Sequence, residues 1–526
     1  MYTLANYMRD ALMFDFPDWF YGIPMKRFDE ALQSLVDLEP WPHQKKDLEF
    51  LLNHERAGLY NDAGVGKTIP MQAFGIYMAA LGKKTVFAMP PKLLGQFSES
   101  LVDTYFGVDN HLQIFLLNEK QKEAKEVIDG WLANPASCPE VVIMSYEMFA
   151  FLQPIKPSPE KVIRNSKTGS SYTRPAVRPL KRHPLDTLGF SCLIFDEAQK
   201  LKEPSSASHK RVWRWVKSSE GKFNLVLATG TPIFNQLIDA YGLIRLITPD
   251  AYNSKKHFEK IHAIIDFNSD YRTIIGWREE ELLHTNLYRS ARRVTKEEVL
   301  PDLPPMIPYQ HDIRLTPDHR ALYKRLLTER VLELEEEFID ATHASKLRQV
   351  ALQLISNPNK YSDKPIKNAM DDWLEQMFED IGVHQHKIIV FAYYRETVDA
   401  LAKNYAHLNP AVINGGSGDS DSQRIKFLRD PSCRVLFLNW KSGGAGLNLQ
   451  VSPYELFYEV PTVPGDIEQA IARTHRGGQM QGVHVHIPRI FSTIANKSLN
   501  QLLSKQRKKD EVVQDKHDLL YQLLGK

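Results

Sequence analysis

Short apolar, β-branched runs recur along the first half of the chain, at Ala57 to Tyr60, Thr85 to Met89, Val141 to Ser145, Cys192 to Phe195 and Asn224 to Ala228, with helically spaced segments between them. Strands that alternate with helices predict a parallel sheet covered by helices. A second series follows at Lys387 to Tyr393, Ala411 to Asn414, Arg434 to Asn439, Glu455 to Glu459 and Val483 to Ile487. Two α/β lobes are therefore expected, at about 41–250 and 381–500, after an N-terminal segment 1–40. From 251 to 380 apolar residues return every three or four positions among many charges, which predicts a mostly helical connection, with one long helix from Asp318 through Leu354. Its acidic residues Glu333, Glu335, Glu336 and Glu337 suit a solvated helical face. The last stretch, 501–526, reads as one helix or a tail.

Composition narrows the classes. The chain has 526 residues, 43% hydrophobic and 25% charged, enough to build several cores and unlike a disordered tail. Lys and Arg number 66 against 64 Asp and Glu, so a polyanion would have to be met by a local basic surface. One such surface is the proline-rich segment 154–184, with eight Lys and Arg against one acid, expected as a loop or hairpin inserted in the first lobe and touching nucleic acid. The cysteines Cys138, Cys192 and Cys433 are far apart, which argues against disulfides or a structural zinc site and for a reducing, cytoplasmic setting. No apolar run approaches the roughly 18 residues of a membrane span.

Chemistry concentrates at two places in the first lobe. Ala63-Gly64-Val65-Gly66-Lys67-Thr68 follows an expected strand and opens a helix. Glycines Gly64 and Gly66 let backbone amides curl around phosphate, Lys67 reaches the terminal phosphates, and Thr68 offers a hydroxyl to magnesium. The full phosphate-loop pattern wants glycine at position 61, where this chain has Asn61. Farther on, the strand Leu193-Ile194-Phe195 runs into Asp196-Glu197, where one carboxylate can hold a metal and the next can polarise water. The histidines His384, His386, His484 and His486 read as polar faces of strands rather than metal ligands.

These residues, in this order, resemble the superfamily 2 helicase-type motors and, within them, the Swi/Snf group of DNA-dependent ATPases. Pro42-His43-Gln44 resembles the motif that reads adenine; Met89-Pro90-Pro91-Lys92 and Ser145-Tyr146-Glu147 look like motifs that contact a nucleic-acid backbone. Asp196-Glu197-Ala198-Gln199 resembles the acidic box, although His is common where Gln199 stands. Thr229-Gly230-Thr231-Pro232 resembles the coupling motif, and Arg292-Arg293 with Leu303-Pro304-Pro305 the bridge between lobes. Ser442-Gly443-Gly444-Ala445-Gly446-Leu447-Asn448-Leu449 resembles motif five; Gln469-Ala470 with Arg473, His475, Arg476, Gly478 and Gln479 resembles motif six.

The resemblance implies two RecA-like lobes and ATP with Mg2+ as cofactors. It assigns Lys67, Asp196, Glu197, Arg473 and Arg476 to catalysis, with Asp196 and Thr68 on the metal. Gln44, Gly64, Gly66, Lys67 and Thr68 would bind nucleotide. Lys92, Ser145, Thr229, Thr231, Ser442, Gly443 and Gln469 would couple nucleotide to nucleic acid. The implied partner is DNA, with duplex favoured. The alternative is a motor that displaces a DNA-bound protein such as a polymerase.

Overall fold

The computed structural model describes residues 40–105, 112–152, 161–164, 171–174, 183–218, 223–266, 273–333, 338–340, 343–415, 420–441 and 448–513. They divide into two compact units, the first comprising most of the chain up to Thr295 and the second running from Lys296.

The first unit is built on β1 (Arg56–Leu59), β2 (Lys84–Met89), β3 (Ile114–Leu117), β4 (Val141–Ser145), β5 (Phe190–Phe195), β6 (Asn224–Ala228) and β7 (Ala291–Arg292), in the order β7-β1-β6-β5-β2-β4-β3. Every adjacent pair is parallel. Because side chains alternate across a strand, Phe87, Met89, Ile143 and Ile194 face one core together with helices α1 (Pro42–Leu52) and α2 (Thr68–Ala80). The intervening Val86, Ala88, Met144, Leu193 and Phe195 are buried as well. Burial on both faces explains why these strands read as continuous apolar runs.

The second unit repeats the plan with β8 (Met306–Ile313), β9 (Ile388–Ala392), β10 (Ala411–Ile413), β11 (Val435–Asn439), β12 (Tyr454–Phe457) and β13 (Val483–Ile490), ordered β8-β13-β12-β9-β11-β10 and again all parallel. Ile388, Val390 and Val435 pack on one side, against α3 (Ala344–Ser356) and its neighbours. Ile389, Phe391 and Leu436 pack on the other, with α4 (Pro464–Ile471) and α5 (Ile494–Val513).

Two expectations change and a third is met. The long helix from Asp318 to Leu354 is two helices, Pro317–Glu329 and α3, with the antiparallel strands Val331–Glu333 and Phe338–Asp340 between them. Arg330 adopts a left-handed conformation, φ 58°, which ends the first helix, and the β-branched and aromatic residues that follow favour strands. Glu335, Glu336 and Glu337 lie outside the described residues. Helices dominate 251–380, but the same stretch supplies β7 and β8 to the two sheets; β8 lies at the edge of its sheet, where Pro308 can be tolerated. In the basic segment, Lys161–Arg164 and Ser171–Arg174 pair as an antiparallel hairpin, and the rest lies outside the described residues.

Candidate nucleotide site and arginine turn

The loop between β1 and α2 turns at Gly64 (φ 93°) and Gly66 (φ 83°), conformations that cost other residues about 1–2 kcal/mol. Space also selects glycine, since a Cβ on Gly66 would sit 2.4 Å from Nε2 of Gln44. Gln44 is spent on the fold at this point. Its Oε1 accepts from the Trp41 N–H (2.8 Å) and its Nε2 donates to the Gly66 carbonyl (3.0 Å), bracing the start of α1 against the loop. The Lys67 ammonium donates to the carbonyls of Asn61 (2.8 Å) and Asp62 (2.9 Å). Burial lowers its pKa, and the charges of Glu197, Asp196, Asp62 and Asp47 oppose that shift.

Asn61, the departure from the glycine pattern, has a structural use. It is fully buried and donates through Nδ2 to Asp47 Oδ2 (2.6 Å), while Asp47 Oδ1 accepts from Arg292 Nε (2.7 Å). The loop is thus tied to α1 and to β7. Arg293 reaches Asp62 at 3.4 Å.

Asp196 stands one residue past the end of β5, with its N–H on the Ala88 carbonyl of β2. Burial and the neighbouring Glu197 raise its carboxyl well above the usual range, and Lys67 pulls it back. Tyr146 donates to the Asp196 carbonyl at 2.7 Å. Glu197 is left-handed (φ 53°), a strain that turns its carboxylate toward Gln199. Gln199 Nε2 donates to Glu197 Oε2 (2.6 Å), Thr229 Oγ1 donates to Gln199 Oε1 (2.7 Å), and the Thr231 N–H donates to Thr229 Oγ1 (3.0 Å). A continuous chain therefore joins the acidic pair to the turn after β6, and Gln199, with both a donor and an acceptor, is the link.

Ser145 caps the helix that follows β4, accepting from the Met148 N–H at 3.0 Å. Lys92 is exposed on a single 3-10 turn after β2.

In the second unit, Arg473 and Arg476 lie beyond the end of α4, so their three-residue spacing is not a helical one. Arg473 is 6% exposed and donates to the Trp440 carbonyl (2.9 Å), and its charge bears on Glu455. Glu455 accepts from Thr474 Oγ1 (2.5 Å), and burial pushes its carboxyl up to about 8. Arg476 is only half-buried and donates to Asn448 Oδ1. Glu468, the acid nearest in sequence, pairs instead with Lys509 of α5. His475 packs, its Nε2 on the Pro304 carbonyl (3.0 Å) and its pKa lowered to about 4 by burial. Gln469 is half-buried on α4; Ser442 and Gly443 lie outside the described residues.

Sequence reasoning missed Asp47 and Glu455. Glu455 carries a readable signal, a lone acid inside the apolar run of β12; Asp47 does not, since an acid in an amphipathic helix is ordinary.

Among the described residues no group of three His, Cys, Asp or Glu side chains could hold a metal, and no helix is long and apolar enough to cross a membrane. Magnesium at phosphate sites takes one or two protein oxygens and completes its shell with phosphate and water, a demand that the Thr68 hydroxyl and Asp196 carboxylate fit.

A parallel sheet with a glycine-turned loop between its first strand and first helix, and acids at the end of another strand, defines the P-loop class of α/β proteins. The chain belongs to the SNF2-related domain family, whose model matches residues 43–366; the helicase conserved C-terminal domain matches residues 371–478. It is similar to an uncharacterized ATP-dependent helicase of Mycoplasma genitalium, 25% identical over 337 residues that make up 62% of this chain and 30% of that one. It is also similar to the ATP-dependent DNA helicase DDM1 of Arabidopsis thaliana, 24% identical, covering 64% of this chain and 47% of the other. The Zorya protein ZorD of Escherichia coli is 24% identical, covering 88% of this chain and 44% of ZorD. The chain thus spans less than half the length of each of these relatives.

Proposed function

We propose that the chain is a DNA-dependent ATPase that converts ATP hydrolysis into movement along duplex DNA. The observation that carries this reading is that one parallel sheet presents, inside one unit, a loop turned at Gly64 and Gly66 that carries Lys67 into α2 and a strand that runs into Asp196 and Glu197. Phosphoryl transfer asks little covalent chemistry of a protein and much positioning and charge. Gly64, Gly66 and Lys67 cradle the phosphates. Thr68 and Asp196 would hold magnesium, which would supply positive charge to neutralise the phosphate oxygens. Glu197 orients and deprotonates water, and Gln199 keeps it aimed. Arg476 supplies positive charge to the transition state, and Arg473 anchors the turn that presents it. The chain from Glu197 through Thr229 to Thr231 gives hydrolysis a route to the nucleic-acid side, where Lys92 and Ser145 contact the backbone.

Lys67→Ala and Glu197→Gln are both expected to abolish turnover, with Glu197→Gln retaining ATP because only the group acting on water is changed. Near-normal turnover in Glu197→Gln defeats the catalytic assignment. Displacement of a triplex strand without unwinding of a forked duplex supports duplex translocation, and the converse result makes the chain a strand-separating helicase.

A further inference from the structure

The helix Ala207–Ser218 of the first unit contains Lys210, Arg211, Arg214 and Lys217 and no acid. Its inward side is made by His209, Val212, Trp215 and Val216, all buried. At 3.6 residues per turn, Lys210, Arg214 and Lys217 fall in one row on the opposite side, and all three are exposed. The row rises about 10 Å along the helix, the axial span of about three phosphates on one strand of a duplex. Ser208 Oγ donates to the Tyr146 carbonyl and Arg211 Nε to the Ala150 carbonyl, both at 3.4 Å, so the helix rests on Tyr146–Phe151, the helix that Ser145 caps.

Trp213 stands beside the row, with the Arg245 guanidinium 4.1 Å and the Lys217 ammonium 5.4 Å from its ring centre. Arg245 thus adds a fourth cation to the face, and the ring orders two of the four while leaving their charge intact. Several other cations of the unit are matched by acids: Lys202 by Asp239, Lys255 by Glu203 and Arg289 by Asp250. Among the described residues, no carboxylate lies within ion-pair distance of Lys210, Arg214, Lys217 or Arg245. Like charges three and four residues apart on a helix repel one another. The fold therefore carries an unrelieved repulsion on this face, which an anion laid along the row would remove.

We propose that this face is a second nucleic-acid contact, in which Lys210, Arg214, Lys217 and Arg245 hold the phosphate backbone of duplex DNA beside the track that Lys92 and Ser145 contact. The inference rests on the proposed function for the identity of the polyanion and goes beyond it in assigning a surface outside the motif residues. The chain as a whole carries only +2, so attraction to a polyanion has to come from local cations that the fold leaves unneutralised. A row of evenly spaced charges suits a repeating anion rather than a single small one. Arg245 covers the Trp213 ring, so the face reads charge and not bases, and backbone contacts of this kind position a protein on a duplex without regard to sequence. Such a contact would keep the motor on its DNA while the track residues let go.

The test is binding of the full chain, without nucleotide, to a fluorescently labelled blunt duplex over a series of salt concentrations. Each backbone contact contributes about 0.9 to the slope of log K against log salt, so Lys210→Gln, Arg214→Gln and Lys217→Gln together should flatten the slope by about 2.7, and each alone by about 0.9. Lys210→Arg with Lys217→Arg keeps the charge and should keep the slope. The three side chains are exposed, and changes at such positions leave stability within about 0.5 kcal/mol. ATPase rates at saturating DNA should match those of the unaltered chain, with more DNA needed to reach half of that rate. An unchanged slope in the triple variant, while the unaltered chain binds duplex, overturns the proposal and leaves the motor reading standing; no duplex binding by the unaltered chain overturns both. Loss of binding to phosphatidylglycerol vesicles at an unchanged DNA slope would assign the face to a membrane surface and overturns the proposal as well.

Discussion

The phosphate loop of the first unit and the arginine turn of the second both announce themselves by motif spacing, yet they differ in kind. Around the loop, the expected residues are drawn together by hydrogen bonds that run from Gln44 to Gly66 and from Lys67 to Asn61, and in a second chain from Glu197 to Thr231. In the turn, two arginines with identical chemistry on paper part company. Arg473 sits in the core beside Glu455, and Arg476 is half-buried against Asn448. Spacing is informative where the backbone between residues is regular, as from β1 through the glycine loop into α2. Past the end of α4 the chain turns, and three residues can separate a buried side chain from a partly exposed one.

The sharpest way to break that comparison is to delete each arginine. Arg476→Ala is expected to lower kcat by about a thousandfold, the scale of an arginine finger, while unfolding free energy stays within about 0.5 kcal/mol, as for partly exposed sites. Arg473→Ala strips the buried Trp440 carbonyl of its guanidinium donor and should destabilise the second unit by about 1–3 kcal/mol. Urea unfolding together with steady-state ATPase rates separates the two. Equal kinetic losses with equal stability would make the arginines a matched pair after all.

Asn61 offers the corresponding test in the first unit. Asn61→Ala removes a donor from buried Asp47 and should cost about 1–3 kcal/mol, with Asn61→Gly similar despite restoring the usual loop pattern. A thermal shift of zero for both would mean that the tie from Asn61 to Asp47 contributes nothing to stability. Gln199→Ala acts on rate rather than stability. With Glu197 no longer tethered but still present, kcat should fall about tenfold, less than the roughly hundredfold or more that general-base catalysis itself supplies, while KM for ATP holds; a rise in KM at constant kcat would place Gln199 in nucleotide binding.

Much of this was legible beforehand, for physical reasons. Strands buried on both faces announce themselves as apolar runs, and all ten expected runs coincide with strands. Three strands of the two sheets escaped: β7, only two residues long, β8, whose apolar start gives way to Gln310, His311 and Asp312, and β3, whose run Ile114 to Leu117 is as apolar as those recognised. The helix expected from Asp318 to Leu354 was misjudged because its periodicity continues through Arg330, whose left-handed backbone no pattern of apolar residues records. At the candidate site the residue types were readable, whereas their partners were not. Nothing in the spacing of Asn61, Asp47 and Arg292, separated by up to 245 positions, predicts that they meet. Nor could it tell that Arg473 would be buried, since that depends on β12 placing Glu455 beneath it.

The remaining expectation is the one most specific to that burial. Glu455 has an ordinary pKa near 4.5 when unfolded and one of about 8 in the folded unit, where burial outweighs the hydrogen bond from Thr474 and the charge of Arg473. Between those values the folded state holds a proton that the unfolded state has released. Stability therefore falls as pH rises through this window, by at most about 1.4 kcal/mol per pH unit, and the loss is complete above it. Glu455→Gln keeps the shape and the hydrogen bond from Thr474 but cannot titrate, so its unfolding free energy should decline less between pH 6 and pH 9 than that of the unaltered chain. Arg476→Ala should leave the unaltered slope intact, because Arg476 is not among the groups acting on Glu455, while Arg473→Ala should push the Glu455 carboxyl higher still and extend the decline to more alkaline pH. Parallel pH profiles for the unaltered chain and Glu455→Gln would show that Glu455 is ionised in the folded unit, as a salt-bridged partner of Arg473, and the contrast between the two arginines would then rest on charge pairing rather than on burial.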